Sequence, residues 1–219
     1  MQLVNTTLVL VMLANLALLS SSRLSSCIQF VAAQGILLGL LPLEMAHGES
    51  FEFGRVVTLA VIILVLKGWV FPMLLSRTLR TAQVRHEVIP MVGYVASLVA
   101  GVMVVSLSFW ISTRLIFPHR PDSPEISSLV LPFALSTILI GLFLIVTRKT
   151  ALMQVIGYLV LENGIYIFGM ALAQEQQFLV EMGILLDVFV AVFVMGIAIF
   201  HINREFDHID VHQLTSLKD

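Results

Sequence analysis

Three ionisable residues, Lys67, Glu162 and Asp187, lie within runs of Val, Ile, Leu, Phe and Met long enough to cross a bilayer. A charge at the centre of a membrane helix costs roughly 2.5–3.5 kcal/mol on insertion scales, so three together cost on the order of 10 kcal/mol. Packing alone never requires that. The chemistry open to such groups is proton or ion transfer, because a buried carboxylate or amine changes protonation state near neutrality more readily than a solvated one.

Glu162 occupies the centre of its apolar window. Tyr158 stands at i−4 and Tyr166 at i+4, with Ile165 and Gly169 on nearly the same face. Gly157, Gly164 and Ala171, seven apart, form a smoother stripe on another side, suited to close helix packing. The carboxylate is therefore expected to face a protein interior, where burial suits it to take and give protons. The alternative is a permanently protonated Glu162 that hydrogen-bonds a neighbouring helix.

Asp187 belongs to a stripe of Gly183, Asp187, Ala191, Val194, Ala198 and His201, which recur at helical spacing. Its small residues leave room for a partner helix or water, and its end at His201 lies roughly 20 Å from Asp187 by helix rise. A histidine there also fits a plain interfacial role. Glu181 opens the same segment, where a carboxylate suits the positive end of a helix; it also suits the outer mouth of a path.

Lys67 is followed by Gly68, Trp69 and, five residues on, Pro72. Proline lacks an N–H, so the Gly68 carbonyl loses its helical partner beside the ammonium, leaving a kink that accepts water or a carboxylate. Snorkelling to the interface is the other reading, over a long reach. Gln34, Gln154 and Asn163 are interhelical hydrogen bonders or water ligands, Gly35-x-x-x-Gly39 is a helix-packing motif, and Trp69, Trp110 and Phe117 are core or belt aromatics.

The elements that hold these residues follow from composition. A mean hydropathy of +1.00, with 58% hydrophobic and 12% charged residues in 219, excludes a soluble globular domain and predicts an all-α polytopic membrane protein. A net charge of −2 provides no basic field for nucleic acid. The single Cys27 rules out an internal disulfide and any Cys-based zinc or iron–sulfur site, and no His or carboxylate group has metal-ligand spacing. Leu24-Ser25-Ser26-Cys27 resembles a lipoprotein cleavage box, but no basic residue precedes the first apolar run, which is therefore read as a retained helix.

Long apolar windows fall at 3–21, 27–43, 56–75, 89–112, 128–147, 151–173 and 180–201; most are long enough to span, and the second is short. With the N-terminus outside, inner segments carry Arg23, Arg77, Arg80, Arg85, Arg148, Lys149, Arg204 and Lys218, whereas outer loops carry Arg55, Arg114 and Arg120. Seven helices then put the C-terminus in the cytoplasm. Four helices in 1–112, an outer Pro-containing loop at 113–127, three helices in 128–203 and a cytoplasmic tail at 204–219 make one integral unit. No nucleophile–base pair, phosphate loop or haem-like histidine pair is visible, so the chain moves something or supports something that does.

Three segments carry a resemblance. They are Gly157-Tyr-Leu-Val-Leu-Glu162-Asn163-Gly164, then Val180-Glu181 through Asp187 with Phe189-Val-Ala-Val-Phe-Val-Met195, and the tail Asp210-Val-His-Gln-Leu-Thr-Ser-Leu-Lys218. They resemble hydrogenase-4 component E, a membrane subunit of formate-hydrogenlyase-type group 4 nickel–iron hydrogenases; Lys67 with Pro72 also matches a family position. The likeness covers the C-terminal half, and the first helices match only in hydropathy.

By that resemblance the last three helices are similar to the small three-helix subunit of respiratory complex I and its counterpart in Mrp antiporters, which carries two membrane glutamates. Those glutamates fall on Leu159 and Val192 here; Glu162 is one turn beyond the first, and Asp187 five residues before the second. The resemblance implies a proton-translocating and assembly role in a complex-I-related oxidoreductase of a bacterial or archaeal cytoplasmic membrane. Glu162, Asp187 and Lys67 would form the path, with Glu181, Tyr158, Asn163 and His201 as auxiliaries. It implies no cofactor in this chain, nickel–iron and iron–sulfur centres in partner subunits, and antiporter-like subunits among the partners. A cation/proton antiporter subunit and a non-conducting scaffold are the competing readings.

Overall fold

The computed structural model describes residues 2–45, 50–81, 92–114 and 129–172. They form α1 (Gln2–Ser20), α2 (Leu24–Met45), α3 (Ser50–Val65), a π turn (Leu66–Val70), α4 (Phe71–Thr81), α5 (Tyr94–Arg114), α6 (Val130–Thr147) and α7 (Ala151–Leu172). Among the described residues there are six apolar spans long enough to cross a membrane, the third being Val56–Arg80, which runs through the π turn. The chain is a multi-pass membrane protein. The seventh expected window at 180–201, with Glu181, Asp187 and His201, and the tail at 204–219 lie outside the described residues.

The first six expected spans agree with these helices to within about five residues at either end. The second window, read as short at 27–43, is a 22-residue helix. Ser25 and Ser26 lower its hydropathy but sit in its first turn, where backbone donors lack intrahelical partners in any case and polar side chains cost little. Leu24 and Cys27, both from the cleavage-box pattern, are fully buried in the helical core.

Small residues set the packing, as lipid offers no hydrophobic drive between helices and close van der Waals contact must supply it. Among the described residues, α6 and α7 form the most extensive pairing. Glycines on both sides make it close. A Cβ at Gly164 would stand 2.6 Å from the Ile138 nitrogen, one at Gly157 2.9 Å from the Ile145 nitrogen, and one at Gly141 would overlap the backbone of Leu161. The Gly157 and Gly164 stripe thus faces α6.

α2 runs through the middle, touching α1, the α3–π–α4 span and α7. Its Gly35 and Gly39 take the backbone of Lys67 and the side chain of Leu64. At the edge, α5 buries only the small residues Ser97, Gly101 and Ser108 and turns Val95, Val99, Met103 and Trp110 outward. Trp69 is also exposed, so both tryptophans face outward and neither is a core residue.

One end of the bundle is tied by Arg148. Counted by the positive-inside rule as a loop charge, it is instead buried, 1% exposed. Its Nη2 donates to the Leu19 carbonyl at 2.9 Å, and the guanidinium lies 5.6 Å from the Tyr94 ring centre. Burial lowers the guanidinium below its ordinary pKa, with Cys27 and Tyr94 acting in the opposite direction. The side chain joins the carbonyl ends of α1 and α6, where carbonyls lack helical partners, to the first residue of α5.

Candidate functional site

The site begins at the π turn. Pro72 cannot donate to the carbonyl four residues back, so the span takes an extra residue, and the Phe71 N–H reaches the Leu66 carbonyl. The expected kink is therefore a π turn, and it carries Lys67. Gly35 makes this possible from the other side. A Cβ there would come 2.6 Å from the Lys67 carbonyl oxygen, so only glycine lets α2 lie against the turn.

From this turn Lys67 points at α7. Its Nζ lies 2.7 Å from Glu162 Oε1 and donates to Asn163 Oδ1 at 3.1 Å. Lys67 is 6% exposed, and Glu162 and Asn163 are 2% exposed. The Tyr166 ring centre is 5.8 Å from the ammonium, within cation–π reach. Tyr158 stands one helical turn before Glu162 on α7. Residues far apart in sequence thus meet at an ion pair inside the bundle.

The polar contacts continue away from the pair. Asn163 Nδ2 donates to Gln34 Oε1 at 3.3 Å, Gln34 Nε2 to Asn15 Oδ1 at 2.9 Å, and Asn15 Nδ2 to Thr137 Oγ1 at 3.0 Å. Thr137 in turn donates to the Phe133 carbonyl at 2.8 Å. Asn15 and Gln34 are fully buried. The chain draws on α7, α2, α1 and α6 in turn and, with Lys67, joins five of the spans.

Of the expected site residues, the structure brings together Lys67, Glu162 and Asn163, with Tyr158 and Tyr166 alongside. Asp187, Glu181 and His201 lie outside the described residues. Ile165, grouped by spacing with Glu162, is 43% exposed: an i+3 step leaves it about 60° off the Glu162 direction, enough to cross from interior to lipid face. Leu159, where the resemblance sets a complex I glutamate, is buried in the apolar core. Sequence reading passed over Asn15 and Thr137. A lone carboxamide at mid-span was the available signal for Asn15; Thr137 gave none, since a threonine satisfies itself on its own helix.

Among the described residues no group of three His, Cys, Asp or Glu could hold a metal ion. What the pair can do is exchange a proton between an ammonium and a carboxylate. The carboxamides beyond it can orient charge but cannot pass a proton without leaving their amide form.

Residues 129–219 match the family described as NADH-ubiquinone/plastoquinone oxidoreductase chain 4L, a stretch that includes Thr137, Glu162 and Asn163. Over 88 residues the chain is 40% identical to Hydrogenase-4 component E of Escherichia coli K12, covering 40% of this chain and 41% of that protein. The same identity and coverage hold for Hydrogenase-4 component E of Shigella flexneri. Across 208 residues, 94% of this chain and 92% of the relative, it is 29% identical to an uncharacterized protein of Mycobacterium tuberculosis. No solved structure matches the chain. Fold and family match define a polytopic membrane protein whose C-terminal segment is of the chain-4L type. The matches support the hydrogenase-4 component E family for this chain.

Proposed function

We propose that this chain is a membrane-arm subunit of a hydrogenase-like, complex-I-related oxidoreductase in which Lys67 and Glu162 relay protons. The observation that carries the reading is the 2.7 Å separation of Lys67 Nζ and Glu162 Oε1, both buried. At that distance a proton passes from ammonium to carboxylate with little heavy-atom movement, converting an ion pair into a neutral pair. Desolvation opposes the Coulomb attraction of the ion pair, so in a buried site the two states lie close enough to be switched.

In this reading Glu162 is the central carrier and Lys67 its partner. Asp187 loads or releases on the outer side, with Glu181 at the mouth, Tyr158 and Asn163 beside the carrier, and His201 at the cytoplasmic boundary. Electron transfer, with nickel–iron and iron–sulfur centres, belongs to partner subunits, antiporter-like subunits among them. The membrane is a bacterial or archaeal cytoplasmic membrane, with the N-terminus outside.

The test is Glu162→Gln in the assembled complex. Redox-driven proton movement into membrane vesicles is expected to stop while the subunits still co-purify; unchanged proton movement refutes the relay. The hydrogen-bonded chain across five spans favours a second reading, a non-conducting scaffold. That reading predicts a lower yield of complex from Glu162→Gln, and an unchanged number of protons moved per electron in the fraction that assembles.

A further inference from the structure

The carboxamide chain running from Lys67 to Phe133 has a direction, and both of its ends set it. An ammonium only donates, so Asn163 must present its oxygen to Lys67 Nζ. At the far end the Thr137 hydroxyl proton is committed to the Phe133 carbonyl, so Thr137 can only accept, and Asn15 must present its NH2. Asn15 Oδ1 is then left for Gln34 Nε2, and Gln34 Oε1 for Asn163 Nδ2. The two requirements agree without a mismatched contact. Each of the three amides turns its oxygen toward the ammonium and its nitrogen away.

Aligned this way, the amide dipoles add, with the negative end of the row against Lys67. In a buried site such dipoles act strongly, and chained hydrogen bonds polarise one another. From this we infer that Asn15, Gln34 and Asn163 are positioning residues whose aligned amides hold the proton on Lys67 and oppose its transfer to Glu162. Thr137 is the terminus that fixes their sense. This rests on the relay reading for its functional meaning, but its physical content is the resting protonation of the pair. Among the described residues, Glu162, Asn163 and Tyr166 from α7 are set against Lys67, with Gln34 of α2, Asn15 of α1 and Thr137 of α6 following along the chain.

Thr137→Val is the informative variant, because it keeps shape and removes the anchoring hydroxyl. Ser136→Ala is its control: Ser136 is equally buried and shares the Phe133 carbonyl with Thr137, but its other contact is the Met12 sulfur and it bonds none of the three amides. The readout is the infrared C=O band of protonated Glu162 in the purified complex, identified by its loss in Glu162→Gln. In Thr137→Val, and in Gln34→Met, which cuts the chain on another helix, the ratio of protonated to ionised Glu162 read from the band at one fixed pH is expected to rise about tenfold over the wild type, since transfer from Lys67 to Glu162 takes up no proton from solution. Ser136→Ala is expected to match the wild type. A band unchanged in both Thr137→Val and Gln34→Met, or shifted equally in Ser136→Ala, overturns the inference. The measurement reads protonation and needs no transport, so a failed relay test with Glu162→Gln and a failed infrared test are separate results.

Discussion

Two buried cations of this molecule live in different company. Lys67 faces a carboxylate at 2.7 Å and a carboxamide at 3.1 Å, at the middle of the bundle. Arg148, more deeply buried, has a backbone carbonyl and an aromatic ring, and among the described residues its Nε and Nη1 have no hydrogen-bond partner. The first cation has somewhere to send a proton. The second does not, because a carbonyl and a ring cannot accept one and a guanidinium does not release one in proteins. Burial of a charge therefore does not mark a path by itself; a titratable partner within reach does.

Breaking the first of these sites should have the largest effect. Lys67→Leu takes the ammonium away from the buried Glu162 carboxylate, and the complex should lose about 3–5 kcal/mol, as for other half-removed buried pairs. Thermal unfolding in mild detergent would measure it. Lys67→Leu combined with Glu162→Leu should recover most of that stability and none of the proton movement; recovery of transport would show that the pair is not the relay.

A milder break comes from the packing that presents Lys67. Gly35→Ala drives a methyl group into the π turn, 2.6 Å from the Lys67 carbonyl, and should cost about 1–3 kcal/mol. Proton movement should fall with it. If Gly35→Ala is as stable and active as the wild type, the π turn has more freedom than this packing allows.

The comparison sharpens with Arg148→Met. Loss of the bond to Leu19 is offset by relief of the buried guanidinium, so stability should change by no more than about 1 kcal/mol, and transport should persist. Loss of transport with intact assembly would place Arg148 on the path. The smallest effect is expected for Thr7→Val, which removes the bifurcated donation from Thr7 to the Glu44 carboxylate at 2.9 and 3.0 Å. It should lower stability by about 0.5–1 kcal/mol with no change in proton movement, read by the same unfolding assay.

Much of the helical layout was legible in the chain because lipid demands it locally. Twenty or so apolar residues make a span wherever they occur, and Gly35, Gly157 and Gly164 read as packing positions because only small residues let helix backbones meet. Lys67 and Glu162 stood out for the same reason, as charges inside apolar runs. Their partnership was not legible. The two are 95 residues apart, and Asn163 and Gln34 are 129 apart. Ile165 shows the limit on a smaller scale, since helical spacing alone could not tell an interior position from its lipid-facing neighbour.

The amino-acid order by itself determined which segments cross the membrane and which polar residues must go with them, because the cost of burying each group in lipid is a property of that group and its neighbours in the run. Tertiary structure alone decided who meets whom. It turned Pro72 into a π turn aimed at α7, gave Lys67 a carboxylate, lined up Asn163, Gln34 and Asn15 behind it, and withdrew Arg148 from the loop into the core. Those choices depend on how the six described spans press together at their glycines, and no single run of sequence contains that information.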